Sequence, residues 1–193
     1  MITNYLKFLY NSKNQHGVHS PFVFNLVTKC FYNKANFAEY SELKSLQKPS
    51  LKTVKLLFRI VNYFKPNDVL TIGKPNSSLI LALLLGKQSA EHTSVETKGD
   101  LNQLLTEKPT FDLIFFETNN NQMPILEVFE FLLPTAKNNS VWIFNDIYSN
   151  SEIQNSWQTI KNHPKVTVTI DTFAIGLVFF RTEQQKQHFT IRV

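Results

Sequence analysis

The run Val69-Leu70-Thr71-Ile72-Gly73-Lys74-Pro75-Asn76-Ser77-Ser78, followed by LILALLLG, restricts the chain to a strand, a tight turn and a buried helix in succession. A short β-branched and apolar segment reads as strand, and Gly-Lys-Pro as turn. Asn, Ser and Ser ahead of an apolar segment then read as a helix start. In an open parallel sheet such a turn sits at the carboxyl end of the first strand, where nucleotide-like ligands bind. A cradle for such a ligand usually needs several glycines, so that bare backbone can approach it. Here only Gly73 remains, followed by a long cationic side chain and a proline.

Around that stretch the pattern repeats. FDLIFFE (111–117) is a continuous apolar run of strand length ending in an acid, as expected for a strand buried on both faces. SVWIFNDI (140–147) follows the same plan. Helical periodicity appears at Thr53–Phe64, Met123–Leu133 and Ser151–Asn162, the last capped by Asn150 or Ser151, with a brief helix over Asp100–Leu105. A short strand is expected at Thr93–Glu96. VTVTIDTF and GLVFFR close the chain with only two or three residues between them, too few for a parallel crossover, so they must be antiparallel neighbours or a hairpin. Alternating strands and helices ending in an antiparallel pair predict a three-layer α/β sheet. Residues 1–65 read as helical: a start at Tyr5–Leu9, a helix capped by Ser20 with Pro21 at its first position and continuing through Cys30, a third over Glu39–Leu46, and Thr53–Phe64 ending before Pro66.

At 193 residues the chain is expected to be one domain, with residues 1–65 a helical region packed on a 66–193 core. Residues 1–65 carry ten Lys and Arg against two acids, a charge of +8, and the remainder carries −3. That asymmetry raises nucleic acid, anionic lipid or an acidic partner, but the lysines are scattered, and scattered charge favours solvated helix faces. A homodimer through the N-terminal helices is also open. Cys30 is the only cysteine, which excludes an internal disulfide and suits a reducing cytoplasm. MITNYLKFLY lacks the apolar core of a secretory signal, and Leu79–Gly86 is far shorter than a membrane span, so no membrane role is expected.

The order of elements, together with HGVHSPFVF, KLLFRIVNYF, FDLIFFE, VWIFNDIYS and VTVTIDTFAIGLVFFRTEQQKQHFTIR, resembles the class I S-adenosylmethionine-dependent methyltransferases. More narrowly, it is similar to a set of short methyltransferase-like proteins of Bacteroidetes. The resemblance spans nearly the whole chain and is weakest from Gly73 to Glu107. It implies a Rossmann-like sheet, mostly parallel with a C-terminal antiparallel strand and preceded by helices. It also implies S-adenosylmethionine as cofactor, a small-molecule substrate, and a glycine-rich turn after the first strand. In this chain Thr71 stands where that turn's acid would be, and Lys74-Pro75-Asn76 replaces its small residues.

The resemblance assigns the methionine part of the cofactor to the turn of Gly73, Lys74, Asn76 and Ser77. The ribose hydroxyls fall to Glu96, 23 residues beyond Gly73, near the roughly 20 usual for such an acid. Only fourteen residues separate Glu96 from Phe111, too few for helix, strand and helix, so one strand/helix unit is expected to be missing. Glu117, Asn145 and Asp146 fall at the ends of two strands expected to be neighbours. Glu117 and Asp146 are the candidate catalytic pair, and all three are candidate ligands for a divalent cation, which oxygen donors suit. Near them Glu117-Thr118-Asn119-Asn120 replaces an acidic, glycine-bearing run. His16 and His19 lie three apart in a loop with no evident third ligand and are read as fixing that loop. The resulting expectation is a methyltransferase-like protein whose cofactor binding is weakened or lost. The alternative is a non-catalytic adaptor, a pseudoenzyme in effect, using its basic N-terminal helices.

Overall fold

The computed structural model describes residues 2–43, 49–107, 110–119 and 123–193. In chain order the elements are α1 (Ile2–Asn11), α2 (Pro21–Leu26), α3 (Tyr40–Leu43), α4 (Leu51–Phe64), β1 (Asp68–Ile72), α5 (Ser77–Gly86) and β2 (Glu91–Val95). They continue with α6 (Lys98–Glu107), β3 (Leu113–Phe116), α7 (Ile125–Leu132), β4 (Val141–Asn145), α8 (Ser151–Asn162), β5 (Val168–Asp171), β6 (Ile175–Phe179) and β7 (Gln187–Thr190). The chain divides into two compact units, one of Met1–Ser12, Asp68–Lys74 and His92–Arg192, the other of Lys13–Asn67, Pro75–Glu91 and Val193.

The seven strands form one sheet in the order β2-β1-β3-β4-β6-β5-β7. β1, β3 and β4 are parallel neighbours. β6 runs antiparallel to both β4 and β5, and β7 is parallel to β5. The closing pair is thus antiparallel, as its short connection required. β7 was not foreseen: QHFT is polar, half of it is exposed, and its pairing comes from the backbone rather than from an apolar pattern. Between β2 and β3 the described residues hold the single helix α6, as the short interval implied.

Every residue of β3 and β4 is buried, which is why both read as unbroken apolar runs. On one face Leu70, Ile72, Ile114, Phe116, Trp142 and Phe144 build a core with α6, α7 and α8. Phe116 stacks on Phe144 at 4.3 Å, and Trp142 meets the edges of Phe129 at 5.5 Å and Phe180 at 4.7 Å. Gly176 lets α8 approach β6: a Cβ there would lie 2.7 Å from the Trp157 ring and 3.0 Å from Ile147 Cγ2. The indole is rigid and cannot fold away. Gly176→Ala is therefore expected to cost about 1–3 kcal/mol, read as a lower midpoint in thermal melting.

In the second unit the residue types at the element ends explain the ends. Ser20 accepts from Val23 N with Pro21 at the first position of α2. Ser50 caps α4, and Lys65 ends it in a left-handed conformation at φ 49° ahead of Pro66. The helix expected through Cys30 changes to a π-helical turn over Val27–Phe31. Arg59 ties down the end of this turn, donating to Cys30 O and Phe31 O at 3.1 Å each and to Tyr40 Oη at 3.3 Å. Cys30 is core, and burial pushes its thiol up to about 12. Gly86 brings α5 against α4, where a Cβ would sit 2.6 Å from Val61 Cβ. The helix expected over Glu39–Leu46 is seen as α3 alone, and Leu46 lies outside the described residues. Among the described residues no helix is long and apolar enough to cross a membrane.

Candidate functional site

The carboxyl ends of β3 and β4 bring together a polar cluster. Because Leu113 pairs with Val141 and Phe116 with Phe144, the next residues, Glu117 and Asn145, emerge side by side. Glu117 is 3 % exposed. Its carboxylate accepts from Asn145 Nδ2 at 3.0 and 3.3 Å and from the Asn119 backbone N–H at 3.1 Å. Asn119 Nδ2 donates to Asp146 Oδ2 at 2.9 Å, closing the chain between the two acids. Thr118 Oγ1 donates to Asn145 O at 2.7 Å and holds the two strand ends together from below. Asp146 adopts φ 46°, and its N–H donates to Ala174 O at 2.7 Å.

Burial pushes the Glu117 carboxyl above its ordinary value; the Asn119 N–H and the Asn145 amide pull the other way, and the neighbouring Asp146 charge adds to the rise. A carboxyl so placed holds its proton closer to neutral pH and can serve as an acid or base. Its folded value is raised, so the stability it permits is complete below the ordinary value of 4.5 and is lost as pH climbs through the raised value.

Glu117 and Asn145 are in direct contact and Asp146 is linked to Glu117 through Asn119, but these contacts differ from a metal site. A cation needs oxygens turned toward one point, whereas Asn145 presents amide hydrogens to Glu117, and Asn119 presents one to Asp146. The amides already supply the positive partner that a cation would be. As arranged, this donor set does not fit a divalent ion, and among the described residues no three His, Cys, Asp or Glu side chains are grouped for one. Asn119 and Thr118 are the members that sequence reasoning missed. Their signal is a run of small hydrogen-bonding residues directly after a strand-terminal acid; Asn120, in the same run, lies outside the described residues.

The expected cofactor residues fall in both units. In the first, Gly73 has φ 87°, a backbone suited to glycine, and its N–H is engaged by Val95 O at 2.8 Å. Lys74 is exposed. In the second, Asn76 is an ordinary N-cap, its side chain accepting from Ser78 N at 2.9 Å, and Ser77 opens α5 exposed. Glu96 is exposed at the end of β2 and lines a cleft of about 260 Å³ with Thr97, Lys98, Met123, Pro124 and Glu127. Lys98 and Glu127 pair with each other at 3.3 Å in that cleft. His16 and His19 are exposed, and His16 N bonds to Asn14 Oδ1 in a short 3-10 turn.

No family model matches the sequence, and no curated protein does. Solved structures do. An O-methyltransferase from Bacillus cereus in complex with S-adenosylhomocysteine superposes with a TM-score of 0.54 at 15% identity, over 76% of this chain and 92% of that one. The S-adenosylhomocysteine-bound methyltransferase PaMTH1 of Podospora anserina gives 0.54 at 10% identity, over 85% and 97%. The MycE methyltransferase of mycinamycin biosynthesis, in complex with Mg, S-adenosylhomocysteine and mycinamycin VI, gives 0.55 at 10% identity, over 86% of this chain and 61% of that one. The chain has the fold of the class I S-adenosylmethionine-dependent methyltransferases.

Proposed function

We propose that this is a methyltransferase-like protein in which the cofactor is held weakly or not at all. The reading is carried by the turn after β1. Methyl transfer from a sulfonium needs alignment and a water-excluding pocket more than it needs chemistry from side chains. The cofactor would supply the electrophilic methyl group, and the protein would supply the cradle. Here the one glycine spends its N–H on Val95, Lys74 adds a long side chain, and Pro75 has no N–H to give. Two further observations support it. The cleft beside Glu96 falls below the roughly 300–1,000 Å³ of typical ligand pockets, and Lys98 and Glu127 satisfy each other within it. In this reading Glu96 and Gly73 are what remains of the cofactor site, while Glu117 and Asp146 retain the polar apparatus at the neighbouring strand ends.

The test is a thermal shift with S-adenosylhomocysteine. A ligand present at about 100 times its dissociation constant adds about 2.7 kcal/mol to stability. At a ligand concentration of about 100 μM, binding of micromolar strength would therefore move the melting midpoint by several degrees. No shift is expected at that concentration, and a rise of several degrees there would overturn the proposal.

A further inference from the structure

We infer that α1 and the turn between β5 and β6 form a clamp that sets the conformation of Asp146, with Phe173 as its positioning residue. The inference rests on the reading of Glu117 and Asp146 as the polar side of the site. Two residues in the first unit that are not glycine carry left-handed backbone beside one hydrogen bond: Asp146 at φ 46° and Phe173 at φ 72°. Asp146 N donates to Ala174 O at 2.7 Å, so the residue next to Phe173 is the one that holds Asp146. Left-handed backbone strains a residue with a side chain and persists only where its surroundings over-determine it.

The surroundings of Phe173 do so from three sides. Its N–H donates to Asp171 Oδ1 at 2.7 Å. Its ring stacks on Tyr148 at 4.9 Å, and Tyr148 Oη donates to the other oxygen of Asp171 at 2.5 Å. From α1, Tyr5 meets the same ring edge-on at 4.9 Å and Phe8 meets it at 5.4 Å. Thr172 closes the turn by donating its hydroxyl to Ile175 O at 2.8 Å. Asn4 Nδ2, bonded to Gln154 Oε1 at 3.2 Å, ties α1 to α8 as well. A continuous set of contacts thus runs from α1 through Phe173 and Ala174 to Asp146, and on through Asn119 to Glu117. Left-handed backbone thus stands at Asp146 and at Phe173, the residue before the one that accepts its N–H, so the hydrogen bond couples the two positions that their surroundings must hold.

Amide hydrogen exchange of the protein without any added ligand tests the clamp. Exchange at Asp146 N–H is expected to rise at least about tenfold in Phe173→Ala and in Tyr5→Ala. The Asn119 side-chain amide resonances should move in both, while exchange in β3 stays unchanged. Phe173→Tyr, which keeps the ring, should behave as the native chain. Tyr5 is exposed, so its variant keeps the test open should Phe173→Ala fail to fold. Native exchange at Asp146 in Tyr5→Ala, or acceleration spread evenly through β3 and β4, would overturn the inference. Cofactor affinity plays no part in either readout, so failure here is distinct from failure of the weakened-cofactor reading.

Discussion

Asn145→Ala is expected to destabilise the protein by about 2–3 kcal/mol at pH 8 and by clearly less at pH 4. Asn145 Nδ2 donates to both oxygens of the Glu117 carboxylate, and Glu117 is almost fully buried. Removing the amide leaves a buried charge short of donors, a penalty that vanishes once the acid is protonated. Since the Asn145 amide pulls the Glu117 value down, its loss lets that value rise further, and the stability lost with increasing pH grows. Glu117→Gln should do the reverse, raising the melting midpoint at neutral pH and flattening its pH dependence. Urea unfolding at the two pH values reads both variants. An Asn145→Ala penalty independent of pH would mean that Glu117 is not the group being satisfied.

Trp142→Ala is expected to cost about 3–5 kcal/mol. Trp142 is fully buried in β4, between Ile114 of β3 and Val178 of β6. Its ring touches Phe116, Phe129 and Phe180, so truncation opens a cavity that several rigid rings surround and cannot readily fill. Against a typical total of about 5–15 kcal/mol, that loss leaves little reserve. Trp142→Phe keeps most of the volume and should cost far less. Chemical denaturation separates the two, and equal costs would place the aromatic core elsewhere.

Much of this fold is legible in the sequence because its strongest signals are physical necessities. FDLIFFE and SVWIFN have the length and the unbroken apolar run of strands buried on both faces, and the short link between VTVTIDTF and GLVFFR forbids a crossover. Fourteen residues between Glu96 and Phe111 have no room for another strand and two helices. What stayed hidden depends on tertiary context. β7 is polar and becomes a strand only because β5 offers it an edge. The π-helical turn at Val27–Phe31 has its last carbonyls held by Arg59, 28 residues beyond Phe31.

At the site, position was readable and hydrogen-bond polarity was not. Glu117, Asn145 and Asp146 had to meet once β3 and β4 were neighbours. Whether Asn145 offers an oxygen to a cation or an amide hydrogen to Glu117 is decided by the orientation of one side chain. Asn119 links the two acids through its backbone and its side chain at once, a double role that residue type alone does not announce. Phe173 at φ 72° could not have been foreseen either, because nothing in the letter F marks a left-handed residue.

Titration calorimetry of S-adenosylmethionine into the full chain measures the depleted turn after β1 most directly. With Gly73 N–H committed to Val95 and Pro75 unable to donate, the expected trace is dilution heat alone, or a shallow curve far from saturation at millimolar ligand. A saturable isotherm of micromolar affinity and one-to-one stoichiometry would show that the crevice still closes on its cofactor, and the proposal of a weakened site would be wrong.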